Sequence, residues 1–217
     1  MKLSETSLLT FKNFASINSG VVLNAGHVQR TWSVDKSILV EAELEESFPY
    51  IFGIYDLNQF LGNVTTLKTP TLTFSSDYVT LNDNDMNIKY RACDSELISS
   101  PPNKTLVLNE PDVTFDLTQV ALTKILKLAS MNNLFNISVI GENGKLRIQA
   151  HDKSNDKSNE IFTELDSWSG ADFICTFRSE NIKVIPDDYS VSIKLNAFSH
   201  FKSKTRNLSY FITLLTK

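Results

Sequence analysis

The sequence predicts an α+β protein built from two similar halves, and three observations carry that expectation. A long amphipathic helix is predicted over residues 4–18 and a second over residues 118–133. Each is followed by short strand-like runs, by a strand running straight into a short helix, and by more strands, so the order of elements repeats with little residue identity. Between the halves, residues 98–112 carry Pro101, Pro102 and Pro111, which forbid helix and favour an extended connector. The implied division is 1–100, a connector 101–112, and 113–217; one domain interrupted by a long surface loop is the other reading.

The elements follow in order. Ser4 is placed to accept a hydrogen bond from an orphan N–H of the first turn, Glu5 suits the positive end of the dipole, and Gly20 is expected to end the helix in a left-handed turn. Leu8, Phe11, Phe14 and Ala15 share one arc, while Lys12, Asn13 and Ser16 share the other and Leu9 intrudes. Strand character follows at residues 21–23, 27–32, 38–44 and 48–54, with Asn24-Ala25-Gly26 as a hairpin turn. Asp56 caps a short helix whose Leu57, Phe60 and Leu61 lie on one face, and strands resume at residues 71–74, 78–82 and 86–90.

In the second half, residues 113–117 form a strand that leads into the second helix. Ala121, Leu122, Ile125, Leu126, Leu128 and Ala129 form its apolar arc; its polar face is cationic, with Lys124 and Lys127 and no acid. Strands at 135–140 and 145–150 flank Asn143-Gly144, a strong hairpin signal, and residues 152–160 read as a polar loop. Strands at 161–165 and 171–177 precede a short capped helix over residues 179–183, and strands at 188–195, 197–202 and 208–215 complete the half.

Composition bounds the function. The 217 residues suffice for two medium domains with real cores, and 41% hydrophobic content with 14 Phe is that of a folded chain. No apolar run approaches the ~20 residues that span a bilayer, and Cys93 and Cys175 sit in apolar or strand-like stretches, so a soluble intracellular protein with buried free thiols is expected. A net charge of −4 argues against coating nucleic acid by bulk electrostatics; a DNA role needs its cations gathered on one surface.

No constellation suggests catalysis, a metal or a cofactor. His27, His151 and His200 are scattered without triad or ligand spacing, and the 7 Gly form no phosphate loop. Asp83-Asn84-Asp85 begins like a calcium loop, but Ile88 stands where the sharp turn needs Gly. Glu41, Glu43, Glu45 and Glu46 read as a solvated strand face and turn. Lys202, Lys204 and Arg206 form a basic hairpin tip, read as solvated rather than DNA-bound.

The opening Met1-Lys2-Leu3-Ser4 and the run Lys12-Asn13-Phe14-Ala15-Ser16-Ile17-Asn18-Ser19-Gly20 resemble the start of the sliding clamps of T-even-type bacteriophages. More weakly, so do Tyr55-Asp56-Leu57-Asn58 and Asn181-Ile182-Lys183 with Pro186 and Tyr189. The resemblance implies two similar processivity-clamp domains, each with two helices packed on antiparallel sheets, in a head-to-tail trimeric ring around double-stranded DNA. It implies a non-enzymatic factor in the cytoplasm of the infected host. It would tether the replicative polymerase, be loaded by an ATP-dependent clamp loader, and be linked to late transcription. Lys12, Lys124, Lys127 and Lys183 would then face the DNA, touching phosphates without reading bases; without the resemblance, each is an ordinary solvated lysine. A partner-peptide pocket is implied near Leu106, Val107 and Leu108 with Phe211 and Leu214 of the last strand; three apolar connector residues packing on the core is the plainer reading. A strand-rich virion or receptor- or carbohydrate-binding module is the alternative for the whole chain.

Overall fold

The computed structural model of the protein describes residues 1–68, 70–155 and 157–215. The chain divides into two compact units, Met1–Thr105 and Leu106–Lys217.

The first unit opens with α1 (Glu5–Ile17), whose N-cap is Ser4: its hydroxyl accepts from the Ser7 N–H at 3.2 Å. The carboxylate of Glu46 grips the same end, accepting from the Ser4 N–H and the Ser7 hydroxyl. Partial burial pushes that carboxyl up, but these hydrogen bonds outweigh it and hold Glu46 below the usual carboxylate range. Thus the acidic run is not uniformly a solvated face. Glu46 ties the helix start, and Glu41 pairs with a buried arginine described below.

The helix ends differently from expectation. Asn18 caps it with extended backbone (φ −143°), and its side chain donates to the carbonyls of Trp32 (3.1 Å) and Ser99 (2.9 Å) while accepting from the Gly20 N–H. Gly20 is needed for space: a Cβ there would lie 3.1 Å from the Tyr55 carbonyl oxygen and 3.2 Å from that of Ile54.

β1 (Val21–Leu23), β2 (Gly26–Trp32), β3 (Ile38–Phe48) and β4 (Phe52–Ile54) follow; β1 pairs with β4 and β2 with β3, both antiparallel. α2 (Leu57–Thr66) is capped by Asp56, which accepts from the Gln59 N–H at 2.9 Å, and buries Leu57, Phe60, Leu61 and Val64. β5 (Thr71–Phe74), β6 (Tyr78–Asn82) and β7 (Asn87–Arg91) form a three-stranded antiparallel sheet. Met1 extends that sheet beyond β5, exchanging two 2.7 Å hydrogen bonds with Leu72. A run of edge-to-face rings, Phe14–Phe11–Phe48–Phe74–Phe52, with successive centroids 5.3–6.0 Å apart, joins α1 to these strands and forms the core.

The second unit begins with β8 (Val113–Leu117) and α3 (Gln119–Met131). Thr118 caps α3 through the Ala121 N–H, and Asn133, at φ 54°, turns the chain out. The Leu134 N–H then reaches the Ala129 carbonyl at 2.9 Å, closing the stop two residues before the expected end. β9 (Asn136–Glu142) and β10 (Lys145–His151) meet across Asn143-Gly144, both at positive φ as the hairpin signal requires. β11 (Ile161–Ser167) and β12 (Phe173–Arg178) complete a sheet ordered β11-β10-β9-β12. β13 (Tyr189–Ile193), β14 (Phe198–Ser203) and β15 (Leu208–Thr213) form antiparallel neighbours, with β8 on β13. Within the loop 152–160, residue 156 lies outside the described residues.

The expected short helix at residues 179–183 is a single 3₁₀ turn, Ser179–Asn181, without a side-chain cap. Arg178 stands at the cap position, and the chain leaves the turn to bury Ile182 and Ile185, whose carbonyl and N–H are taken by the hydroxyls of Tyr189 and Tyr210. The described residues therefore hold three α-helices: two in the first unit and one in the second.

Candidate nucleic-acid face and partner groove

The long helices turn their polar arcs outward, as their patterning demands. Lys12 on α1 and Lys124 and Lys127 on α3 are exposed, and among the described residues none of the three meets a carboxylate. Several cations of the strands and their turns are paired instead. Lys145 pairs with Glu164, Arg147 with Glu142, Lys194 with Asp112, Lys204 with Asp116 and Arg206 with Asp187. α3 carries no acid at all, so its outer face is a surface of uncompensated positive charge. α2 adds a neutral polar face of Asn58, Gln59, Thr65 and Thr66. Lys183 is exposed but lies past the 3₁₀ turn, not on a helix.

Sequence reasoning passed over two further cations beside these elements. Lys68 follows the end of α2 and is exposed, and Arg178 precedes the 3₁₀ turn, 59% exposed, with Glu180 at 3.6 Å. Their place just outside a helix terminus was the available signal.

The second unit also holds a groove of about 320 Å³, walled by β12 residues Ile174, Cys175 and Thr176, by His151 and Lys153, by Asn196, and by Leu214 and Leu215 after the last strand. Ile174 is exposed, and the Leu215 N–H donates to the Thr176 carbonyl at 2.8 Å, which fixes the far wall. Of the pocket residues expected from sequence, Leu214 lines this groove. Leu106 and Val107 are exposed and Leu108 half-buried; among the described residues, 106–109 make no hydrogen bond. Phe211 is buried in a stack on His200, with centroids 4.4 Å apart and planes 5° from parallel.

Residues 2–101 match the family described as DNA polymerase processivity factor. The sliding clamp of Vibrio phage KVP40 is 29% identical over 218 residues, covering 98% of each chain. That of Enterobacteria phage T4 is 25% identical over 199 residues, covering 88% of this chain and 86% of the other. The chain is thus similar to phage sliding clamps over nearly its whole length. Solved structures share the fold: the proliferating cellular nuclear antigen of Entamoeba histolytica (TM-score 0.73, 16% identity, 99% and 98% of the two chains) and the sliding clamp of Pseudomonas aeruginosa (0.72, 12%, 100% and 66%). The A. fulgidus antigen, solved with the C-terminal region of FEN-1 bound, is similar at TM-score 0.74 and 13% identity over 100% and 99% of the chains.

Other features of the chain are structural. Among the described residues no cluster of ligating side chains can hold a metal, and no helix is long and apolar enough to cross a membrane. The Cys175 thiol is pushed up to about 12 by burial, so it stays protonated and unreactive. Two members of the basic hairpin tip are committed elsewhere: Lys204 to Asp116 at 2.6 Å and Arg206 to the buried Asp187 at 2.8 Å.

His151 gives the groove a pH signature. Its Nε2 shares a 2.8 Å hydrogen bond with the buried Ser138 hydroxyl, which meets Thr176 Oγ1 at 2.8 Å. Burial depresses its basicity, against the pull of Glu160 and Asp152 and with a smaller push from Lys153. The unfolded chain, with its ordinary value near 6.5, takes up the proton first as pH falls. His151 therefore contributes fully above about pH 6.5, and that contribution is withdrawn below it. His151→Gln is expected to flatten the fall in the urea midpoint between about pH 7.5 and 5.5; an equally steep fall refutes this assignment.

Proposed function

We propose that copies of this clamp close head to tail into a homotrimeric ring around double-stranded DNA and hold a DNA polymerase on its template. The observation that carries the reading is the outer surface of the long helix in each unit: among the described residues Lys12 on α1, and Lys124 and Lys127 on α3, lack acidic partners, while Lys145, Arg147, Lys194, Lys204 and Arg206 of the strands and their turns have them. Such a face attracts phosphates without reading bases, and with the chain's net charge of −4 elsewhere unfavourable to DNA, retention comes from linkage more than adhesion. The reading assigns Lys183, just past the 3₁₀ turn, to the same DNA contact.

The clamp acts without chemistry of its own, in the cytoplasm of the infected host. An ATP-dependent loader opens and places it, and phage late transcription uses it as well. Partners insert a short peptide into the groove that Leu214 lines, and the reading assigns Leu106, Val107, Leu108 and Phe211 of the same unit to its binding as well.

Native mass by light scattering over a dilution series tests the ring, the expected species being near three times 24.4 kDa. Loaded material is expected to leave linear DNA quickly and closed circular DNA slowly. A strict monomer at high concentration overturns the reading. Ile174→Glu, at an exposed groove position, is expected to leave mass and DNA retention intact and to lower clamp-dependent synthesis by about tenfold or more, through loss of one apolar anchor. Unchanged synthesis overturns the assignment of the groove.

A further inference from the structure

We propose that Asp112 is a positioning residue for the partner groove, its carboxylate setting the turn from which one wall of that groove is hung. The inference deepens the groove reading above and rests on it.

Asp112 is the residue before β8, and its backbone continues the ladder, the N–H donating to the Ile193 carbonyl at 2.9 Å. Its side chain meets the turn that follows β13. One carboxylate oxygen accepts from the Leu195 N–H at 2.8 Å and the other from Lys194 Nζ at 3.0 Å, while the same ammonium donates to the Glu110 carbonyl at 3.0 Å. Within the turn, the Lys194 N–H reaches the Phe198 carbonyl at 3.0 Å and the Ala197 N–H reaches the Lys194 carbonyl at 3.1 Å. The Leu195 N–H goes to Asp112 instead. That backbone donor, and then Lys194, hold the Asp112 carboxyl below the usual carboxylate range, so the acceptor is charged throughout neutral pH.

From the turn the hydrogen bonds run on into the groove. Asn196, at φ 60°, stands in the turn and lines the groove. The Ala197 carbonyl accepts from the Leu214 N–H at 3.1 Å, and the next residue, Leu215, donates to the Thr176 carbonyl at 2.8 Å. Leu214, Leu215 and Thr176 are groove residues as well. One path therefore leads from Asp112, through the turn, to both sides of the groove, and all of it lies within the second unit.

The consequence is preorganisation. Leu214 and Leu215 follow the last strand, and chain ends held by few hydrogen bonds open locally at small free energy. Without Asp112 the Leu195 N–H must turn to water, the turn loses its fixed support, and a partner has to order the wall as it binds. The charge-assisted bond to the backbone carries the effect. The pair with Lys194, whose side chains are 37% and 42% exposed, adds little.

The test uses full-length chains. In Asp112→Ala the Leu214 and Leu215 amides are expected to exchange hydrogen about tenfold faster while those of β9 keep parental rates. With clamp titrated into polymerase-driven synthesis, the half-saturating clamp concentration is expected to rise about fivefold or more, with maximal rate, native mass and DNA retention unchanged. Asp112→Asn keeps an oxygen for the Leu195 N–H, and Lys194→Met keeps the whole carboxylate, so both are expected to stay near the parent. Asp112→Ala joined to Ile174→Glu is expected to cost less than the product of the single effects, because both act through the same groove. Parental exchange at Leu214 and Leu215, a fall in maximal rate without a shift in half-saturation, or fully multiplicative effects overturn the assignment of Asp112 while leaving the groove standing. If Ile174→Glu alone leaves synthesis unchanged, the groove is not the partner site and the proposal falls with it.

Discussion

Reversing the three helix lysines together, Lys12→Glu, Lys124→Glu and Lys127→Glu, is expected to cut clamp-dependent DNA retention and processive synthesis by about tenfold or more, with the native mass unchanged. Each lysine that neutralises a phosphate adds nearly one unit to the slope of log affinity against log salt, so three such contacts per copy dominate the electrostatic attraction. The side chains are exposed and without acidic partners, so their loss costs the fold little. The Ala versions are expected to act in the same direction more mildly and to shallow the salt dependence. A control at Lys204, which pairs with Asp116 at 2.6 Å, is expected to leave retention near the parent value. If Lys204→Glu matches the triple helix variant, the DNA contact is diffuse and not confined to the helices.

What the sequence made legible was mostly local. Ser4, Asp56 and Thr118 each cap the helix they precede, because a cap is decided within three residues. Asn143-Gly144 turns where it must, since positive φ is a property of those two residues themselves. The exposure of Lys12, Lys124 and Lys127 follows from helical periodicity, while their assignment to DNA follows from the resemblance. The failures concern contacts between distant residues. Gly20 is glycine because carbonyls more than thirty positions away approach it, and Glu46 leaves the solvent because the start of α1 needs an acceptor. The 3₁₀ turn replaces a helix because Ile182 and Ile185 are drawn into the core, so Lys183 could not be placed by periodicity. The groove draws its walls from four separated stretches of chain, of which sequence reasoning found only Leu214. Phe211 looked equally suited, but strand alternation does not show which face meets His200.

The connector explains why a single buried arginine should matter most to the first unit. Arg30 is 6% exposed and spends every branch of its guanidinium: Nε donates to Glu41 at 2.6 Å, Nη1 to Asn103 Oδ1 at 2.5 Å and Nη2 to Thr105 Oγ1 at 3.0 Å. Trp32 Nε1, on the same strand, holds Ser99 Oγ at 2.9 Å. The first part of the connector is thus fastened to β2, while residues 106–109 make no hydrogen bond among the described residues and leave Leu106 and Val107 exposed. Arg30→Ala leaves Glu41 half-buried without its counter-charge and two connector acceptors without a donor, a change expected to cost about 3–5 kcal/mol in urea unfolding. Limited proteolysis is expected to shift its earliest cut into residues 99–105. Replacing both partners, Arg30→Met with Glu41→Leu, removes the stranded charge and is expected to recover most of the lost stability without refastening the connector. Stability and cleavage should therefore separate: the double variant folds nearly as firmly as the parent and is still cut early. If recovery of stability also restores protection, the connector is held by packing and not by the guanidinium.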